Sequence, residues 1–237
     1  MDTEFTCGRN AKRAVLSALG QDDPFAHFSR LLESFSAQQL VCPLFGAVLQ
    51  TDPNIRWHAV TAFGLLLPRL WDDSPERARV LMRRCIWNLN EESGGIGWGM
   101  PEAMAEAMSA VSELADEFHK VFLSYIHEKE GPDNYIDHPP LRRGALWGVA
   151  RFAQSRPDLA SRACADLHHH LMTEQDTPCL GLTCLALSQL PECGLPEHLG
   201  DRLDALQQEP QTIELYWNRT LRAVTVGELA RQAVTTQ

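Results

Sequence analysis

Apolar residues along this chain recur with the 3.6-residue period of an α-helix and almost nowhere with the alternation of a strand. Ala and Leu fill most of those positions, and β-branched residues rarely alternate with polar ones. The pattern predicts helices in pairs. First members fall at residues 37–50, 75–89, 117–128, 157–172 and 197–208. Second members fall at 53–70, 101–115, 141–154, 178–190 and 213–233, and two shorter helices precede them near 8–19 and 24–35.

The second members share a form. PNIRWHAVTAFGLL, PPLRRGALWGVARFAQ and PCLGLTCLALSQL each place a proline in the first turn, where its missing N–H costs nothing. Apolar and small residues then follow at i, i+4 and i+8. Aligned on Pro53, Pro101, Pro140 and Pro178, the intervals are 48, 39 and 38 residues. A period near 40 with two helices per unit predicts a HEAT-type α-solenoid. A single helical hairpin cannot bury its apolar face, so hairpins stack. The predicted fold is all-α: a right-handed α-α superhelix of about five hairpins, in one domain over 1–237. Residues 1–36 form capping helices and 37–233 the repeats.

DPNIRWHAVTAFG (Asp52–Gly64) and HPPLRRGALWGVARFA (His138–Ala153) carry a known signature: Asp-Pro, then Arg, then Ala, then Ala-Leu-Gly. On these residues the chain resembles HEAT-repeat proteins, in particular the short bacterial PBS-lyase-like class, over about 37–230. Such repeats serve enzymes, scaffolds and adaptors alike, so the resemblance implies a fold and a repeat type. No catalytic residue of the chromophore lyases is matched. SGGIGWG, together with LRRGALWG, is also similar to a bacterial HEAT-repeat family that has no established activity to carry over.

The first interval exceeds the second by nine residues, and the excess falls largely on SGGIGWG (Ser93–Gly99). The stretch NEESGGIGWGMPEAM (Asn90–Met104) therefore contains an insertion, and insertions in solenoids map to one edge, often the binding edge. Gly94, Gly95, Gly97 and Gly99 permit positive φ and close approach. The loop feeds a helix N-terminus, but it has no lysine and no preceding strand, and Glu91, Glu92, Glu102 and Glu106 would repel phosphate. These features argue against a nucleotide cradle. The bland account is a packed turn plugged by Trp98.

Charge narrows the function classes further. The 237 residues carry a formal net charge of −10. That field does not draw nucleic acid or an anionic membrane surface. No apolar run approaches the roughly 18 residues of a membrane span. MDTEFTCGRNAKR lacks the apolar region of an export signal. The seven irregularly spaced cysteines are expected to be reduced, largely buried thiols of a cytoplasmic protein.

Candidate chemistry concentrates on the second helices. Glu102 and Glu106 are expected on the ridge opposite the core stripe of helix 101–115, as a solvated or salt-bridged face that could also hold a cation or do acid–base work. Arg56, Arg142 and Arg143 occupy first turns as Glu102 does, which predicts an inter-repeat ion-pair ladder. The same residues, with Trp57, Trp98, Trp147 and Trp217, equally predict a mixed-charge concave groove, because Trp and Arg dominate binding hot spots. His58 is a further groove candidate. Cys164 and His168 stand at i,i+4, but no CxxC, HExxH or zinc-finger spacing accompanies them. No G-x-S-x-G occurs, and neither catalytic nor metal-binding residues nor a cofactor are assigned.

The leading expectation is a non-enzymatic binding or scaffold module. It takes a protein or peptide partner with its concave face and with loop 90–101, through Arg56, Trp57, Glu91, Glu92, Trp98, Glu102, Glu106, Arg142, Arg143 and Trp147. The polar end RQAVTTQ favours a monomer over a homodimer. The alternative is a small-ligand protein or enzyme centred on Glu91, Glu92, Glu102 and Arg142, with raised carboxylate pKa values. A third reading, a HEAT-like DNA glycosylase, conflicts with the acidic charge.

Overall fold

The computed structural model describes residues 8–90, 97–128 and 134–236. The chain forms two compact units, Met1–Leu114 and Ala115–Gln237. In the first unit run α1 (Arg9–Leu19), α2 (Pro24–Ser34), α3 (Ala37–Ala47), α4 (Pro53–Asp73), α5 (Pro75–Asn90) and α6 (Met100–Ala110). Their starts are written locally. The Asp23 carboxylate accepts from the Ala26 N–H and that of Asp52 from the Asn54 N–H, each just before a proline at the first helical position. Ser36 and Gln39 form a capping box on α3. α4 continues through Pro68.

α1 packs on α2 and α3, α3 on α4, and α4 on α5 and α6. Leu40, Leu44, Phe63, Leu66, Leu67, Leu70, Leu81 and Met104 are fully buried among them. Ala103 and Ala107 on α6 are also fully buried. His58 is not a groove residue: its Nδ1 lies 2.8 Å from the Leu19 carbonyl and its ring meets Phe25 edge-on, tying α4 to α1 and α2.

The second unit begins within α7 (Ser112–Ser124) and contains α8 (Pro139–Ser155). α9 (Pro157–Ala160) runs through a 3-10 turn into α10 (Cys164–Thr173), and α11 (Thr177–Ser188) follows. After two 3-10 turns come α12 (Gly200–Leu206), β1 (Thr212–Trp217), β2 (Thr220–Thr225) and α13 (Val226–Thr235). α11 is buried from Cys179 to Ser188 because α8, α10 and α13 all pack on it. The prolines aligned in the sequence all fall in first turns, of α4, α6, α8 and α11.

Two expectations fail here. The predicted helix 213–233 is an antiparallel hairpin followed by a shorter helix, paired from Thr212↔Thr225 to Trp217↔Thr220. Asn218 and Arg219 form its two-residue turn, both at positive φ (49° and 65°), the geometry that matches strand twist in tight hairpins. Alternation at Ile213, Leu215 and Trp217 carries the strand, and the capping box of Thr225 and Glu228 starts α13 only afterwards. The thiols are also not all reduced: Cys164 and Cys193 form a disulfide with Cα atoms 5.3 Å apart, which removes Cys164 as a chelating partner of His168. Cys85, Cys179 and Cys184 are buried free thiols as expected. Cys7 lies outside the described residues.

Candidate functional site

On α8 the predicted groove residues face inward. Arg142 is only 5% exposed. Its guanidinium donates to Glu174 Oε2 from Nε at 2.8 Å and from Nη2 at 2.7 Å. Its Nη1 donates to the Ile136 and Asp137 carbonyls, and Tyr135 covers its face at 5.1 Å. Glu174 Oε1 in turn accepts the backbone N–H groups of Gln175 and Asp176. Burial alone pushes the Glu174 carboxyl up, but the Asp176 N–H and Arg142 outweigh it and hold it below the usual range. His170 lies beside this pair with Nε2 2.9 Å from the Ile126 carbonyl, and burial lowers its pKa.

Arg143 binds Asp176 with both arms, at 2.9 and 2.6 Å, and Asp176 also caps α11 by accepting the Cys179 N–H. Trp147 is buried; its Nε1 donates to the Tyr216 carbonyl at 2.6 Å, and its ring meets Trp217 edge-on. Arg142, Arg143 and Trp147 are therefore committed to holding the second unit together, and the ladder partners of the two arginines are Glu174 and Asp176. The histidine triplet diverges as its helical phase requires. His168 turns to the Gly194 carbonyl, His169 to Glu128 and His170 to Ile126.

The first unit holds the more open surface. Glu91 and Glu92, with residues 93–96, lie outside the described residues. The exit of that loop is clamped. A Cβ on Gly97 would stand 2.9 Å from the Asn88 carbonyl oxygen and from Leu89 Cδ2. Gly99 takes φ +74°, and a Cβ there would stand 3.1 Å from Val48. No side chain fits at either position, so residues 97–99 lie tight against the ends of α3 and α5. Around this clamp emerge Leu49, Trp87 and Trp98, exposed by 59%, 69% and 37%. Each is next in sequence to a clamp residue, Val48, Asn88, or Gly97 and Gly99. Trp98 is thus no buried plug.

The carboxylates of α6 correct a further expectation. Glu106 does not lie on a solvated ridge but is 6% exposed, its Oε2 3.0 Å from where a Gly64 Cβ would be. Glu102 is half-buried as a residue, yet its Oε2 is shut off from solvent and has no hydrogen-bond partner. Burial pushes its carboxyl up to about 7, against smaller opposing effects of its own backbone N–H and of Arg56. Arg56 itself is exposed and Trp57 half-buried.

Leu49 and Trp87 were missed in the sequence, although a signal for Trp87 exists. The α5 core stripe at Ala78, Leu81, Met82 and Cys85 leaves position 87 on the other face. Among the described residues no three His, Cys, Asp or Glu side chains gather to hold a metal, and no helix is long and apolar enough to cross a membrane.

No family model and no curated protein matches the chain. Solved structures do. An engineered protein aligns at 12% identity with a TM-score of 0.56, over 95% of this chain and 89% of its own. A designed armadillo repeat protein aligns at 13% identity and TM-score 0.52, over 96% and 90%. A third, a computationally designed armadillo repeat protein for modular peptide recognition, aligns at 12% identity and TM-score 0.51, again over 96% and 90%. The fold is a HEAT/ARM-type helical-repeat solenoid. In such a solenoid the hairpin β1–β2 is an addition to the helical repeat.

Proposed function

We propose that this chain is a non-enzymatic binding module that seats a protein or peptide segment on the first unit, where loop 90–101 leaves α5 and enters α6. The observation that carries this reading is the exposure of Leu49, Trp87 and Trp98 around one rigid clamp. Large exposed apolar side chains grouped on a folded surface mark interaction sites, and Trp is a favoured anchor. Of the five large hydrophobic residues exposed among those described, three belong to this group, so the grouping is not a general property of the surface. The solenoid fold supports the reading, and one of its structural neighbours is designed for peptide recognition.

Arg142, Arg143 and Trp147 have no part in this seat, because each is spent on internal contacts. The alternative carboxylate–arginine site loses Arg142 for the same reason. Of its carboxylates Glu102 is described, and Glu91 and Glu92 lie outside the described residues.

The test is selection of a random-peptide library on the native protein, with the selected peptides re-measured on Trp87→Ala/Trp98→Ala. Peptides that bind the wild type and lose the double variant support the seat. Peptides that bind both alike refute it.

A further inference from the structure

We propose that Glu102 is the acceptor for a cationic side chain, a lysine ammonium or an arginine guanidinium, carried by the segment that docks beside Trp98. This rests on the binding reading above and names the chemistry of its partner.

Buried polar atoms are almost always hydrogen-bonded. Glu102 Oε2 is shut off from solvent and has no partner, so a donor is missing there. Among the described residues none donates to it. Arg56, the cation that acts on Glu102, is exposed and makes no hydrogen bond to this oxygen. The next acidic residue, Glu106, stands one turn along the same helix and is also buried.

That arrangement rejects an anion and favours a cation. Two carboxylates alone do not make a divalent-metal site, and no third His, Cys, Asp or Glu side chain among the described residues joins them. A long side chain is required, because the head must reach inward while its stem lies on apolar surface, as lysine and arginine stems do. Glu102 is only half-buried as a residue, and its surface-reaching part marks the way in.

Position joins this acceptor to the apolar seat. Trp98 precedes Glu102 by four residues, and Gly99 between them is the α6 N-cap pinned against Val48. A segment seated beside Trp98 therefore lies at the end of α6 whose first turn carries Glu102. The formal net charge of −10 adds a long-range pull on a basic segment.

The experiment pans a random-peptide phage library at pH 8, where a carboxyl held near 7 is ionised, on the wild type, on E102Q and on the Trp87→Ala/Trp98→Ala variant. The expected wild-type pool pairs apolar residues with Lys or Arg. Replacing that basic residue by norleucine in a synthetic peptide should weaken wild-type binding about tenfold or more, and E102Q binding less than about twofold. The norleucine peptide probes the contact on unaltered protein, whatever E102Q does to folding. Selected peptides without basic residues, or an equal norleucine loss on wild type and E102Q, would overturn the inference and leave the binding reading standing. A pool that ignores the tryptophan variant, or no pool at all, would overturn the binding reading itself.

Discussion

Trp147 on α8 donates its indole N–H to the carbonyl of Tyr216 on β1, at 2.6 Å, with both residues buried. This contact fastens the hairpin to the helical repeat. A tryptophan that the sequence offered as a partner-binding groove residue is a structural bolt. Trp147→Ala should therefore cost about 3–5 kcal/mol of stability. Trp147→Phe keeps an aromatic body and should cost less. Urea denaturation followed by circular dichroism measures both. A Trp147→Ala protein as stable as the wild type would contradict the assignment.

Glu102 makes stability depend on pH. Its carboxyl in the fold sits near 7, above the ordinary value of 4.5. Between those two pH values the folded chain keeps a proton that the unfolded chain has released, so stability falls as pH rises. The contribution is fully present below about 4.5 and is lost on passing about 7. E102Q removes the carboxylate and with it this fall. Near pH 4.5 the variant should match the wild type, and at pH 8 it should be more stable by up to roughly 3 kcal/mol. Melting curves at the two pH values give the comparison. An equal effect of E102Q at both would show that the group is not buried in this way.

The disulfide Cys164–Cys193 closes a separation of 29 residues and ties α10 to the 3-10 turn at Pro191–Cys193. Of the seven cysteines, five should react as thiols in denatured, unreduced protein, and all seven after reduction. Reduction should cost about 3–4 kcal/mol on the loop-closure account. Seven thiols without a reductant would show the bridge to be absent. Cys85 and Cys184, raised to about 12 by burial, should stay unlabelled in the native state.

The fold was legible because its signals are local. A proline in the first turn and a 3.6-residue period place α4, α8 and α11 within a few residues of where they lie. The hairpin was not, because its alternation at Ile213, Leu215 and Trp217 is short and runs straight into the amphipathic α13. The boundary at Val111 was likewise blurred. That residue is extended (φ −130°, ψ 107°) and ends α6 where the apolar stripe itself continues.

Site residues were less legible, because residue type does not state which side of a helix is covered. Arg142 and Trp147 carry the composition of a hot spot, yet their partners Glu174 and Tyr216 come from 32 and 69 residues away. Glu106 sits where a solvated ridge was expected, and Gly64 across from it leaves room for its carboxylate. The loop exit was found from repeat spacing alone. Leu49 is exposed beside Val48, and the close approach of Gly99 to Val48 is one that no local pattern encodes.

The central claim is that the clamp tryptophans bind a partner. The most direct measurement is the Kd of a library-selected peptide, read by fluorescence anisotropy on wild type and on Trp87→Ala/Trp98→Ala, beside the melting temperature of each. Exposed positions should leave stability within about 0.5 kcal/mol, while loss of two anchors should raise Kd by about 30-fold or more. An unchanged Kd in a folded double variant, or a loss of binding that only follows a loss of folding, would contradict the account.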